Sequence, residues 1–232
     1  MTAALKPHEV LGQRLRAQTA EALAATHRPE VLARAAAQAM EAAECAFAEL
    51  QEDASVARKV AGLDCRKYCA ACCYKTVSVT PAEVFYLADY IRRTFTPKAL
   101  RHLRARLRRL DEKIRGMSPP ERGRARLPCP LLVGKLCSAH PARPATCRGF
   151  NSSDVGKCEA SLKHRDVKIP VYAPQYLTFA HAHLGLRQGL ADAGLGSTHL
   201  ELTAALRIAL RTPDAVDRYL AGEPVFRRAE QP

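Results

Sequence analysis

The sequence predicts a mainly α protein, with helices packed around an irregular cysteine-rich metal-binding core that contains at most a short strand. Three observations carry that expectation. The composition is rich in Ala, Leu and Arg, with few aromatic residues and no Trp. Apolar residues recur at helical spacing on both sides of a central segment. That segment, 116–156, is rich in Pro, Gly and Arg, shows little periodicity and holds Cys129, Cys137 and Cys147. At 232 residues the chain can bury a hydrophobic core, so a metal is not needed to replace one.

Residues 1–62 read as an N-terminal helical arm, with Pro29-Glu30 placed to start a long helix through Leu50 and on toward Val60, closing at Gly62. Cys45 lies inside it among Ala43, Ala46 and Phe47, and reads as a small buried thiol. Residues 63–160 form the cysteine-cluster segment. Within it, 75–79 alternates like a short strand, and Thr80-Pro81-Ala82-Glu83 is a capping box opening a helix to about Arg93. The cap accounts for Glu83, and Val84, Leu87, Ala88 and Ile91 give that helix its apolar face. Thr96-Pro97 opens the next helix by N-cap and N1 chemistry, with Leu100, Leu103, Leu107, Leu110 and Ile114 as the buried stripe. From 116 to 156 the chain reads as loops; Pro128 and Pro130 stiffen Cys129, and Gly134 permits a turn before Cys137. Residues 161–232 supply C-terminal helices that complete the core, over roughly 174–193, 198–211 and 213–221, with Gly194 and Gly222 as stops. His181 and His183 read as packed or surface imidazoles, because i,i+2 side chains do not converge on a helix.

Eight of the nine cysteines fall in two bursts, Cys65, Cys69, Cys72 and Cys73, then Cys129, Cys137, Cys147 and Cys158. All eight are candidate metal ligands. The first four lie close enough in sequence to meet at one centre before any tertiary fold exists. Structural zinc takes four tetrahedral ligands and iron-sulfur clusters take four thiolates, so eight thiols supply two sites, or one site and spare thiols. Zinc or iron is the expected cofactor, a 4Fe-4S cluster among the iron options, since thiolates suit both metals. The adjacent pair Cys72-Cys73 faces two ways in extended backbone, whereas a tight turn brings both to one centre. A disulfide framework is the rival reading and requires an oxidising compartment. Lys6, His8, Glu9, Arg14 and Arg16 interrupt the N-terminus, which shows no apolar leader. A cytoplasmic, reducing setting is the expectation, and no stretch approaches the roughly 18 apolar residues of a transmembrane segment.

The formal charge of +13 is concentrated between Arg92 and Arg126, where thirteen Lys and Arg stand against Asp111, Glu112 and Glu121. A packed helix with a solvated face carrying Arg101, Arg104, Arg108 and Arg115 explains it. Nucleic acid is admitted by the charge but not favoured, because no aromatic side chains interleave with these arginines as a base-stacking platform requires. A protein substrate or partner stays open beside the metal ion.

The order Cys65 through Cys73, Val79-Thr80-Pro81-Ala82-Glu83, Cys129-Pro130-Leu131-Leu132, Gly134-Lys135-Leu136-Cys137, Arg143-Pro144-Ala145-Thr146-Cys147-Arg148 and Cys158 resembles the zinc- or iron-chelating cysteine-cluster proteins of the CxxCxxCC type, the YkgJ-like family. One departure is that three residues, not two, separate Cys65 from Cys69. The resemblance implies metal chelation, and one branch, the flagellin lysine N-methylases, implies an iron-sulfur-dependent protein-modifying enzyme as the alternative. Enzyme status stays open, since no Gly-rich loop after a strand argues for a nucleotide pocket. His140 has ligand spacing from Cys137 but is not demanded by the family pattern. Arg143 and Arg148 either bind loop carbonyls or offset thiolate charge.

Overall fold

The computed structural model describes residues 5–164 and 166–231; residues 1–4, the start of the N-terminus read above for a leader, lie outside them. Among the described residues there are eleven helices and two small antiparallel sheets, so the fold is mainly α. The N-terminal helices are α1 (Pro7–Ala25), α2 (Pro29–Leu50) and α3 (Ala54–Ala61). A 3-10 turn, Ala71–Tyr74, leads to β1 (Ser78–Val79), α4 (Pro81–Thr94) and α5 (Pro97–Ile114). Then come α6 (Pro119–Arg124), β2 (Leu132–Val133), β3 (Leu136–Cys137), a 3-10 turn at His140–Ala142, α7 (Ala145–Gly149) and α8 (Val155–Lys163). The chain ends with α9 (Ala173–Asp192), β4 (Leu200–Glu201), α10 (Leu202–Arg211) and α11 (Ala215–Leu220).

Local chemistry explains most of these boundaries. Pro fills the first turn of α1, α2, α4, α5 and α6, where its missing N–H costs nothing. Thr80 and Glu83 close the reciprocal capping box of α4, and Ser118 with Glu121 does the same for α6. Asp53 begins a new helix by accepting from the Ser55 and Val56 N–H groups, so the helix expected to run toward Val60 is broken after Leu50. The segment 116–156 is less irregular than its composition predicts, since it contains α6, the β2–β3 hairpin, α7 and the start of α8. In that hairpin Gly134 and Lys135 both have positive φ, 55° and 65°, as a two-residue turn matched to strand twist requires. The strand expected at 75–79 contracts to β1, which pairs with β4 through Ser78↔Glu201 and Val79↔Leu200.

One apolar core joins α1, α2, α4, α5, α9, α10 and α11. Helices α1 and α9 cross so closely that a Cβ on Gly185 would lie 2.2 Å from the Gly12 carbonyl oxygen, and one on Gly189 would lie 2.5 Å from Thr19 Cβ. Arg16 and Asp192 pair at 2.5 Å beside this crossing. Helix α2 packs on α4 and α9, while α10 packs on α4 and α5. The buried stripe of α2 is Leu32, Ala35, Ala36, Ala39, Met40, Ala43 and Phe47. Cys45, two residues from both Ala43 and Phe47, therefore turns to the opposite side and is exposed. The expectation of a buried thiol there is wrong because helical spacing outweighs small apolar neighbours.

Candidate metal centre

Two main-chain straps gather the cysteine-bearing loops. The Asp64 N–H donates to the Ser152 carbonyl at 2.9 Å, and Asp64 Oδ2 accepts from the Val155 N–H at 2.9 Å, so the start of the first burst is tied to the first turn of α8. The Cys129 N–H donates to the Cys73 carbonyl at 2.7 Å, which ties the second burst to the end of the first. Tyr68 has φ 71° and turns the chain between Cys65 and Cys69. The 3-10 turn at 71–74 carries Cys72 and Cys73, and α8 packs on it with Cys158 only 6% exposed. Cys147 rides on α7, which is set against α9 so tightly that a Cβ on Gly149 would be 2.8 Å from Phe179 Cβ.

Six of the eight thiols are shifted, and the charges acting on them come from two overlapping neighbourhoods. Burial pushes the Cys65 thiol up, joined by the negative charge of Cys69, Cys72 and Cys158. In the other neighbourhood, burial pushes Cys129 up to about 12, with Cys137 adding to it. Burial also raises Cys147 well above its ordinary value, helped by Cys129, Cys72, Cys137 and Glu83. Cys137 is raised by burial and by Cys72, against the opposing pull of Arg143. The Cys72 and Cys73 thiols share a hydrogen bond that lowers Cys72 to about 7 and raises Cys73, which also feels burial and the charges of Cys72, Cys129 and Cys137. Lys75 and Arg143 favour the Cys72 thiolate. Cys72 thus belongs to both neighbourhoods.

All nine cysteines are free thiols, so no disulfide links the two bursts. Among the described residues no group of three or more His, Cys, Asp or Glu side chains is arranged to hold a metal ion as it stands. The donor set nevertheless fits a thiophilic metal in its chemistry. Each thiolate formed here penalises the next, and a bound cation reverses that penalty, because a coordinating thiol is deprotonated outright. Cys45 lies on α2, outside the cysteine-bearing loops.

Other residues named in the sequence take structural places. Arg148 donates from Nε to the Arg143 carbonyl at 2.8 Å and from Nη2 to the Pro141 carbonyl at 2.5 Å, and its Nη1 pairs with Glu44. Arg143 Nη1 lies 3.1 Å from the His140 carbonyl and 3.0 Å from His140 Nδ1. The carbonyl-binding reading of both arginines describes these contacts. His181 packs against His8 with the two rings tilted and their centroids 4.7 Å apart. His183 is buried and donates from Nδ1 to Glu83 Oε2 at 3.0 Å, while its Nε2 lies 3.2 Å from His199 Nδ1. Ser78 Oγ lies 3.2 Å from the same His199 nitrogen.

Sequence reasoning missed Asp64, Ser152, Lys75 and the partnership of Glu83 with His183. Lys75 carries a local signal, a cation two residues after Cys73. Asp64 and Ser152 are separated by most of the domain and carry none. Glu83 and His183 are 100 residues apart, and the capping box already accounts for Glu83 locally.

Residues 64–169 match a family model described as "CxxCxxCC: Putative zinc- or iron-chelating domain". No curated protein and no solved structure gives a significant match.

Proposed function

From the match of residues 64–169 to the zinc- or iron-chelating domain model, we propose that this chain binds metal through all eight clustered thiols, divided between two centres that meet at Cys72. One centre draws on Cys65, Cys69, Cys72 and Cys158, and the other on Cys73, Cys129, Cys137 and Cys147. The observation that supports this reading is the pair of straps that gather the cysteine loops, Asp64 to Ser152 and Val155 beside Cys65 and Cys158, and the Cys129 N–H to the Cys73 carbonyl. Four thiols per group match the ligand count of a closed zinc site and equally that of an iron-sulfur cluster. The protein's part is to hold the loops by the Asp64 and Cys73 straps and to place Lys75 and Arg143 where they offset thiolate charge. A reducing, cytoplasmic compartment suits free thiols in this number.

The test is metal and acid-labile sulfide content of anaerobically purified protein, with its visible spectrum, followed by Cys158→Ser, Cys147→Ser and Cys72→Ser. Iron with stoichiometric sulfide identifies a cluster, and colourless protein with zinc identifies closed thiolate sites. Cys158→Ser and Cys147→Ser are each expected to remove one centre and leave the other, whereas Cys72→Ser disturbs both. Unchanged metal content in all three variants would overturn the assignment.

A further inference from the structure

One face of helix α5 borders a shallow, open cleft lined by Arg101, His102, Ala105, Arg106 and Arg109, with no acidic side chain among them. The ion pairs near this helix use Arg93, Arg115 and Arg207, and none of them engages Arg101, Arg106 or Arg109. Burial and the charge of Arg109 both act against the Arg106 guanidinium. Like charges gathered in a concavity without a counter-charge attract an anion. Arg104 of the same helix is committed to the fold by donating to the Leu210 carbonyl, and Asp111 of this helix is taken up by Arg207 of α10.

Apolar surface stands nearby. Arg106 Nε donates to the Pro130 carbonyl at 2.8 Å, which mounts the base of the β2–β3 hairpin on the cleft. At the tip of that hairpin Val133 and Leu136 are cross-strand partners, 50% and 37% exposed, on either side of Lys135 in the turn. An exposed apolar pair on a two-residue turn is rigid, so little entropy is lost when something packs on it.

We propose that the α5 cleft and the β2–β3 hairpin together form a docking surface for an acidic protein segment that also carries apolar side chains. Carboxylates meet Arg101 and Arg109, which can engage them bidentately, and the apolar side chains cover Val133 and Leu136. Arg clusters recognise acidic motifs in this way, and Arg is enriched at protein interfaces. Single-stranded nucleic acid is the weaker fit, because 97–114 and 130–137 contain no Phe, Tyr or Trp on which bases would stack.

The experiment measures binding of metal-loaded full-length protein to three fluorescein-labelled probes: a peptide alternating Glu with Leu, one alternating Glu with Ser, and single-stranded DNA of equal charge. The Glu-Leu peptide is expected to bind about tenfold tighter than either other probe. Its affinity should fall with added salt and fall about tenfold in the Arg101→Ala/Arg109→Ala double variant, with metal content and melting temperature unchanged. Val133→Ser/Leu136→Ser should abolish the difference between the two peptides. Tighter binding of DNA, equal binding of both peptides by the wild type, or indifference to the arginine pair would each overturn the proposal.

Discussion

Glu83 accepts hydrogen bonds from three separate elements. Its Oε2 takes the Thr80 N–H at 2.7 Å and His183 Nδ1 at 3.0 Å, and its Oε1 takes the Ala145 N–H at 2.9 Å. With 1% of its surface exposed, the carboxylate has no water to replace a lost partner. Glu83→Gln keeps the shape but turns an amide toward donors, so a loss of about 3 kcal/mol is expected in urea unfolding at neutral pH. Burial acts to raise this carboxyl, but the His183 charge and the hydrogen bonds from His183, Thr80 and Ala145 outweigh it and hold the group below 4.5. A depressed carboxyl stabilises the fold fully above its unfolded value and loses that contribution as pH falls through the folded one. The wild type should therefore lose its advantage over Glu83→Gln as pH drops below 4.5, and parallel stability curves would show that Glu83 does not titrate with folding. Of the three contacts only the cap is legible in the sequence, because Thr80 and Glu83 are three residues apart. The other two join residues 62 and 100 positions away, and no local pattern encodes them.

At the scale of elements, what could be read ahead of the structure divides along the same line. Helices α4 and α5 are announced by Thr-Pro starts and leucine-type periodicity, and both lie where those signals place them. The break between α2 and α3 was hidden because alanine-rich sequence on both sides favours helix, and only the Asp53 side chain, competing for the Ser55 and Val56 N–H groups, ends the run. The membership proposed for the two thiol groups has no local signal either, since Cys158 and the 71–74 turn meet only through the packing of α8. Helix α7 illustrates how packing reaches the proposed centre. Gly149→Ala would set a methyl group 2.8 Å from Phe179 Cβ, pushing α7 and Cys147 outward at a cost of about 1–3 kcal/mol. Metal retention against a competing chelator should weaken for the group containing Cys147, while the group containing Cys158 keeps its ion. Gly185→Ala acts on the other side of α9, where the obstacle is the Gly12 backbone at 2.2 Å rather than a side chain. It should lower the melting temperature without changing metal stoichiometry.

For the whole molecule, the apolar core and the thiol loops are separable contributors. The core drawn from α1, α2, α4, α9 and α10 is continuous without the cysteines, while a bound structural metal adds its binding free energy to the loops that hold it. Removing metal with a chelator should therefore lower amide protection across 64–80 and 128–158 and leave α1, α2 and α9 protected in hydrogen exchange; uniform loss would mean that core and loops form one cooperative unit. The close crossing of α1 and α9 bears on biosynthesis as well. The partner surface for the first helix is encoded near the far end, so a nascent chain carries the apolar residues Leu11, Leu15 and Leu23 without their final cover until α9 leaves the ribosome. At about 5–20 residues per second that interval is roughly 10–30 s. All eight thiols emerge within it, ahead of the helix that closes the core, and so they are presented to the cell's metal supply while the chain is still open.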